Sequence, residues 1–334
     1  MRFLGIDLGG TFIKAAVLDL DTMQVRDSAR LESPPFIPAS FQSQREVDLA
    51  EIVERSRDLL THVASRAGTC SGVMVSGQMG GLVLIGRNGR PISNYISWQD
   101  LRAEDPAGSV GSATELRRKL SDEQVYRTGN DFRASNTIKV LHWMGIHDQL
   151  PEAAVPTSIM GYLITDLCGA IPALHATDAA AFGCLQLATK TWDTELLKSA
   201  GLDHLDWPRV ATRFEPVGTF SLNAVNIPIY TAVGDQQAAL AGACLAEDQL
   251  SINIATGSQV AQLSREIGRG DFQVRPYFDD CYLSTITHIP SGRSLRALLE
   301  FVSSGAVDWE TLEAEVEDTP ETDLEVSLSF YPGA

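Results

Sequence analysis

Two strand–turn–strand segments, far apart in the sequence, constrain the fold of this chain more than any other feature. The first runs from Phe3 to Val17 and carries Gly9, Gly10 and Thr11 at its tip. The second runs from Leu250 to Leu263 and carries Thr256, Gly257 and Ser258 at its tip. Aliphatic runs on either side of small residues are the pattern of a β-hairpin. Small tip residues leave backbone N–H groups uncovered, so these can converge on an anion. Two such tips would grip a polyphosphate from two sides, and the repeat suggests two related halves around a cleft.

The totals exclude several classes. The 334 residues suggest about two domains, and 44% apolar residues suffice for two cores. A net charge of −17 argues against sequence-independent nucleic-acid binding, which needs Lys and Arg to displace counterions. A local cleft can still take a nucleotide. Cys70, Cys168, Cys184, Cys244 and Cys281 are odd in number and scattered, with no C-x-x-C pair. They read as reduced thiols of a cytoplasmic protein, not as a disulfide framework or zinc site. The chain opens in a strand without a signal-peptide pattern. No apolar run approaches the roughly 20 residues of a membrane span. No membrane or nucleic-acid partner is expected, and a homodimer stays open.

The local pattern is mixed α/β. Residues 1–20 read as a hairpin. Val47 to Arg66 has helical apolar spacing. Val73–Ser76 and Leu82–Ile85 read as strands, Thr137–Trp143 and Ile159–Leu167 as helices, and Ile227–Val233 as a buried strand. A small-residue helix is expected over Ala238–Ala246. The chain therefore divides into a domain over 1–224 and a second over 225–334. The acidic stretch from Trp309 to Glu325 is followed by a strand-like Val326–Phe330.

Four sets of residues carry candidate chemistry. Asp7, before Gly9, Gly10 and Thr11, could hold Mg²⁺ directly or through water, since Mg²⁺ prefers oxygen ligands and keeps several waters. It could equally be a surface acid beside a tight turn. Asp235, at the end of Val233-Gly234, could accept a proton from an attacking hydroxyl. It could equally cap the helix that follows, and the two roles are compatible. Thr256, Gly257 and Ser258 alone would be an ordinary hairpin tip. Gln78, Met79, Trp98 and Asp100 would suit a polyol, which needs hydrogen bonds and an apolar face; the plain alternative is a loop with a half-buried Trp. The six histidines lack metal-ligand spacing on one face and read as structural.

Taken in order, these motifs resemble the FGGY carbohydrate kinases of the actin/hexokinase/Hsp70-like superfamily, along the whole chain. Gly5-Ile6-Asp7-Leu8-Gly9-Gly10-Thr11 and Asn253-Ile254-Ala255-Thr256-Gly257-Ser258 are similar to the two phosphate hairpins. Ser76-Gly77-Gln78-Met79 and Ser97-Trp98-Gln99-Asp100 with Arg102 are similar to the sugar-side motifs. Thr177-Asp178-Ala179-Ala180 is similar to a structural turn, and Gly234-Asp235-Gln236-Gln237-Ala238 to the catalytic segment. Trp98-Gln99-Asp100, the Asp235 segment and Arg275-Pro276-Tyr277-Phe278 look most like sedoheptulokinases, with xylulokinases next.

The resemblance implies a ribonuclease-H-like, two-domain fold and ATP-dependent phosphorylation of a ketose at a primary hydroxyl. It implies Asp235 as base and Asp7 at Mg²⁺. Gly9, Gly10, Thr11, Lys14, Thr256 and Gly257 would hold ATP, and Gln78, Met79, Trp98, Asp100, Arg102 and Gln236 the sugar. The sequence departs from the family pattern in two ways. Gly80 stands where relatives carry His after Gln-Met, which bears on sugar identity. Relatives also continue beyond residue 334, so an incomplete C-terminal domain without the adenosine-binding segment is expected. The alternatives are another sugar kinase of the family and an inactive sugar-binding protein on the same scaffold.

Overall fold

Alternating burial along the first strands sets the architecture. Along Arg2–Leu8, the residues Leu4, Ile6 and Leu8 are buried; along Phe12–Asp19, Ile13, Ala15 and Val17 are. Side chains two apart share a face of a strand, so one face of the pair is apolar. In the computed structural model, which describes residues 1–39, 41, 43–104, 111–132, 136–222, 225–254, 258–303, 308–323, 325 and 327, these strands pair antiparallel with Asp7 opposite Lys14. Their buried residues pack into one core with the helix Leu49–Ala67. Asp48 starts that helix by accepting from the N–H groups of Ala50 and Glu51, and Gly68 ends it. Leu60 on its inner face is fully buried, so Leu60→Ala should cost about 2–5 kcal/mol.

The strand Gly72–Gly77 lies parallel to Arg2–Leu8 on the other side, with Asp7 beside Ser76. The hairpin Pro216–Leu222/Val225–Tyr230 extends the sheet, and Val233–Gly234 pairs in parallel with Ser76 and Gly77. Three parallel strands therefore end at one edge, and ligands of α/β sheets bind outside such carboxyl ends. Residues 225–234, which the sequence assigned to the second domain, belong by their hydrogen bonds to the first sheet. An apolar strand does not declare which sheet it joins.

A second core gathers Leu82, Leu116, Ile138, Leu141, Phe182 and Leu196. Beyond the helix Asp235–Gly242 stands a four-stranded antiparallel sheet, in the order Leu250–Asn253, Ser258–Ser264, Tyr282–Ile289, Gln273–Pro276. Leu240 of that helix packs against Ala261, Leu263 and Leu283, so the helix leaves one sheet and rests on the other. The second hairpin forms, with Leu250 opposite Gln262. Its tip residues Thr256 and Gly257 lie outside the described residues, as does most of Val326–Phe330. The acidic stretch contains a helix, Trp309–Asp318. All five cysteines are free thiols. No described helix is long and apolar enough to cross a membrane.

Candidate active site

At the carboxyl edge of the first sheet lies a cleft of about 750 Å³. Asp7, Gly10, Thr11, Gln78, Met79, Trp98, Asp235, Gln236 and Arg275 are among the residues that line it. Asp7 reaches it because it ends a strand, and Ser76 Oγ, in register on the neighbouring strand, donates to its Oδ1 at 3.1 Å. The first tip is closed by the Gly9 N–H donating to the Phe12 carbonyl at 3.2 Å. A Cβ on Gly9 would lie 2.8 Å from that oxygen, so the tip requires glycine there. Ser33 Oγ donates to the Gly9 carbonyl at 2.8 Å and ties the tip down. Gly80, at φ 84, occupies the left-handed region that favours glycine, which accounts in backbone terms for the absence of a side chain there.

Asp235 is the first helical residue, not the cap. Gly234 holds the N-cap position without a side-chain bond, and its N–H donates to Thr177 Oγ1 at 3.3 Å. The Asp235 carboxylate accepts the N–H of Gln236 at 2.7 Å. Its surroundings push its pKa up to about 6. Burial is the main cause, the Gln236 N–H opposes it, the Asp7 charge adds to it, and Arg275 opposes it. The carboxylate is nevertheless open to solvent within the cleft, so its desolvation becomes complete only when a ligand fills the space. A carboxylate of this kind is largely ionised at neutral pH and still basic enough to take a proton.

The other sequence-predicted residues divide. Gln78, Met79, Trp98 and Gln236 line the cleft with Asp235, as do Gly10 and Thr11 with Asp7. Gly9 lines an adjoining space behind the tip, shared with Gly10, Thr11 and Gln78. Lys14 does not reach the cleft; it opens onto a neighbouring, largely apolar groove that Asp7 also borders. Asp100 and Arg102 do not line the cleft either. Arg102 Nε and one Nη donate to the two Asp100 oxygens, each at 2.8 Å, and the backbone N–H groups of Arg45 and Arg102 complete the set. Asp100 is 0% exposed and its oxygens are committed, so it anchors the loop that carries Trp98.

Arg275, Ser76 and Gln99 also line the cleft but were not singled out as site residues in the sequence. The available signal was Arg275 itself, a cation in the buried run Val274-Arg275-Pro276. Among the described residues, no cluster of three or more His, Cys, Asp or Glu side chains could hold a metal. Mg²⁺ needs no such cage, since it binds through one or two carboxylates together with phosphates and water. The single Asp7 carboxylate, with one oxygen bonded to Ser76, fits that sparse mode.

Comparison with known proteins adds four observations. The model of the FGGY family of carbohydrate kinases, N-terminal domain, matches residues 2–242. An autoinducer-2 kinase from Salmonella paratyphi A is 28% identical over 60% of this chain and 38% of its own length. The human sedoheptulokinase is 25% identical over 95% of this chain and 71% of its own length. The crystal structure of Plasmodium falciparum glycerol kinase with ADP superposes with a TM-score of 0.79 at 19% identity, covering 95% of this chain and 66% of that one. The chain thus spans well under the full length of these proteins. At that identity the structural likeness speaks for the fold, which is the two-domain, actin-like ATPase fold.

Proposed function

The chain belongs to the FGGY family of carbohydrate kinases, and from that premise we propose that it phosphorylates a ketose at a primary hydroxyl with ATP, sedoheptulose being the first candidate and xylulose the second. The observation that carries this reading is that Asp235 and the Asp7–Thr11 strand end meet in one cleft at the carboxyl edge of the first sheet. A proton acceptor and an anion-friendly tip sharing one cleft are what in-line phosphoryl transfer needs, because that reaction depends on positioning and charge stabilisation.

In this reading the primary hydroxyl of the sugar lies against Asp235, which orients it and takes its proton as the oxygen attacks the γ-phosphate. Trp98 offers an apolar face, and Gln78, Met79 and Gln236 position the chain of hydroxyls. The N–H groups at Gly10 and Thr11 face the phosphates, with Thr256 and Gly257 of the second tip assigned to the same task. Mg²⁺, when bound near Asp7, supplies charge neutralisation at the phosphates. Asp100 and Arg102 shape the loop under Trp98 and make no sugar contact. We place the division between the two lobes at the helix Asp235–Gly242, because the strands up to Gly234 pair in the first sheet.

ADP release on a ketose panel including sedoheptulose and xylulose tests the proposal. Sugar-dependent release that is lost in Asp235→Asn supports it. Saturable sugar binding without ADP release would replace it with the reading of a sugar-binding protein on this scaffold. ADP release that ignores sugar would discard a sugar acceptor.

A further inference from the structure

We propose that Arg275 is a positioning residue for acceptor recognition, fixing which edge of the Gln236 amide is offered to the sugar. This rests on the kinase reading for the identity of the ligand, but the geometry behind it is independent of that reading.

Gln236 follows the candidate base directly and is buried at the cleft wall. Arg275 Nη1 donates to Gln236 Oε1. A guanidinium can only donate, so the atom it meets must be the carbonyl oxygen. At the other end, Gln236 Nε2 lies 3.3 Å from Thr285 Oγ1. The Thr285 hydroxyl spends its one hydrogen on the Val260 carbonyl at 2.9 Å. It can therefore only accept from Gln236, which again requires the NH₂ group at that end. Chemistry at both ends forces the same orientation, so the amide is not free to flip.

The guanidinium is itself held in plane. It donates through Nη2 to Gln273 Oε1 at 3.0 Å and lies 3.5 Å from the Asp131 carboxylate. Asp131 comes from the first half of the chain, Thr285 and Arg275 from the second sheet, and Gln236 from the helix between them. With its carbonyl committed to Arg275 and one N–H to Thr285, Gln236 retains one N–H as a donor. The acceptor group it recognises is therefore one that offers a lone pair, a ketose carbonyl or a hydroxyl oxygen. A ketose analogue with hydrogen in place of that oxygen should lose the interaction.

The test compares Arg275→Lys with Thr285→Val. Lysine keeps the charge but cannot bond Gln236, Gln273 and Asp131 from one planar fork. Thr285→Val leaves the guanidinium untouched and releases the amide at its other end. Two readouts are taken. Hydrogen exchange of the Gln236 side-chain NH₂, assigned by its disappearance in Gln236→Leu, should be protected in the wild type and at least about 10-fold faster in each variant. In the ADP-release assay with sedoheptulose and xylulose, each variant should raise the acceptor KM by about 10-fold and leave the KM for ATP unchanged.

Wild-type protection of the amide in both variants overturns the proposal whether or not the protein turns over a sugar. Equal changes in both KM values overturn it as well, because a general loosening would act on both substrates. If Arg275→Lys does not fold, Arg275→Gln, which also removes the guanidinium, takes its place, and a Gln236 amide as protected there as in the wild type overturns the proposal. If the wild type neither binds nor phosphorylates a sugar, the kinase reading fails and amide exchange still decides whether Arg275 holds Gln236.

Discussion

The Asp100 carboxylate and the Arg102 guanidinium lock onto each other in a bidentate pair that is almost wholly buried, with side chains 0% and 4% exposed. Glu46 adds a second partner for Arg102 at 2.7 Å. Removing one member of a buried pair strands the other, at a cost of about 3–5 kcal/mol. Asp100→Ala and Arg102→Met should therefore lower the urea midpoint strongly. Acceptor KM in the protein that remains folded should change little. Wild-type stability in Asp100→Ala, together with a large rise in acceptor KM, would return Asp100 to the sugar site.

Asp235→Asn should lower kcat by at least about 100-fold, the low end for loss of a general base. Stability should hold, because Gly234 and not Asp235 occupies the N-cap. The base acts only when ionised. With its pKa raised to about 6, kcat/KM should climb as pH rises through about 6 and level off above it. A rate flat from pH 5 to 8 would exclude Asp235 as the titrating base.

Asp178 supplies a separate pH test in stability. It is fully buried, and burial pushes its pKa up to about 7 from 3.8, against the lowering effect of the Ser158 hydroxyl. That hydroxyl donates to Oδ2 at 2.7 Å, while Oδ1 has no hydrogen-bond partner among the described residues. The raised value means that the folded state holds a proton the unfolded chain has released. Stability from this group is fully present below about pH 4 and is lost as pH rises through about 7. Asp178→Asn keeps an acceptor for Ser158 and carries no charge. Its denaturant midpoint should exceed the wild type's at pH 8.5 and lose that advantage at pH 4. An Asn variant less stable than wild type at pH 8.5 would show that the buried carboxylate is matched by a partner after all.

Much of the fold is legible in the sequence because its signals are local. The first hairpin tip, the helix over residues 49–67 and the strand ending at Gly77 all follow from periodicity and turn residues. Pairing between distant strands does not, which is why the run Ile227–Val233 reads as a buried strand without showing that it pairs beside Gly72–Gly77. The site shows the same division. Asp7, Thr11, Gln78, Trp98 and Asp235 are carried to one cleft because each sits at a strand end or in the loop after it. Asp100 and Arg102, two residues apart, were read as sugar contacts because motif spacing cannot tell whether two opposite charges face a ligand or each other. Arg275 was missed as a site residue because its role depends on Gln236 and Thr285, which meet it only in three dimensions.

Gly234 is where packing and candidate chemistry meet most tightly. Its φ of −62° suits any residue, so a side chain there would bring no backbone strain. A Cβ would instead lie 2.5 Å from Gln237 Oε1 and 2.6 Å from Met79 Sδ. Gln237 is buried, and Met79 lines the cleft with Asp235. Overpacking of this kind costs about 1–3 kcal/mol, and a shift of about 1 Å in a reacting group can cost on the order of 100-fold in rate. Gly234→Ala should therefore reduce both the denaturant midpoint and kcat. Because Met79 is the more flexible neighbour, the double variant Gly234→Ala/Met79→Ala should recover part of the stability, a coupling that independent sites would not show. If Gly234→Ala matched the wild type in both measurements, Met79 and Gln237 would have moved aside without effect. The position of Asp235 would then be set by the Thr177 contact to the Gly234 N–H, and not by the close approach of these side chains.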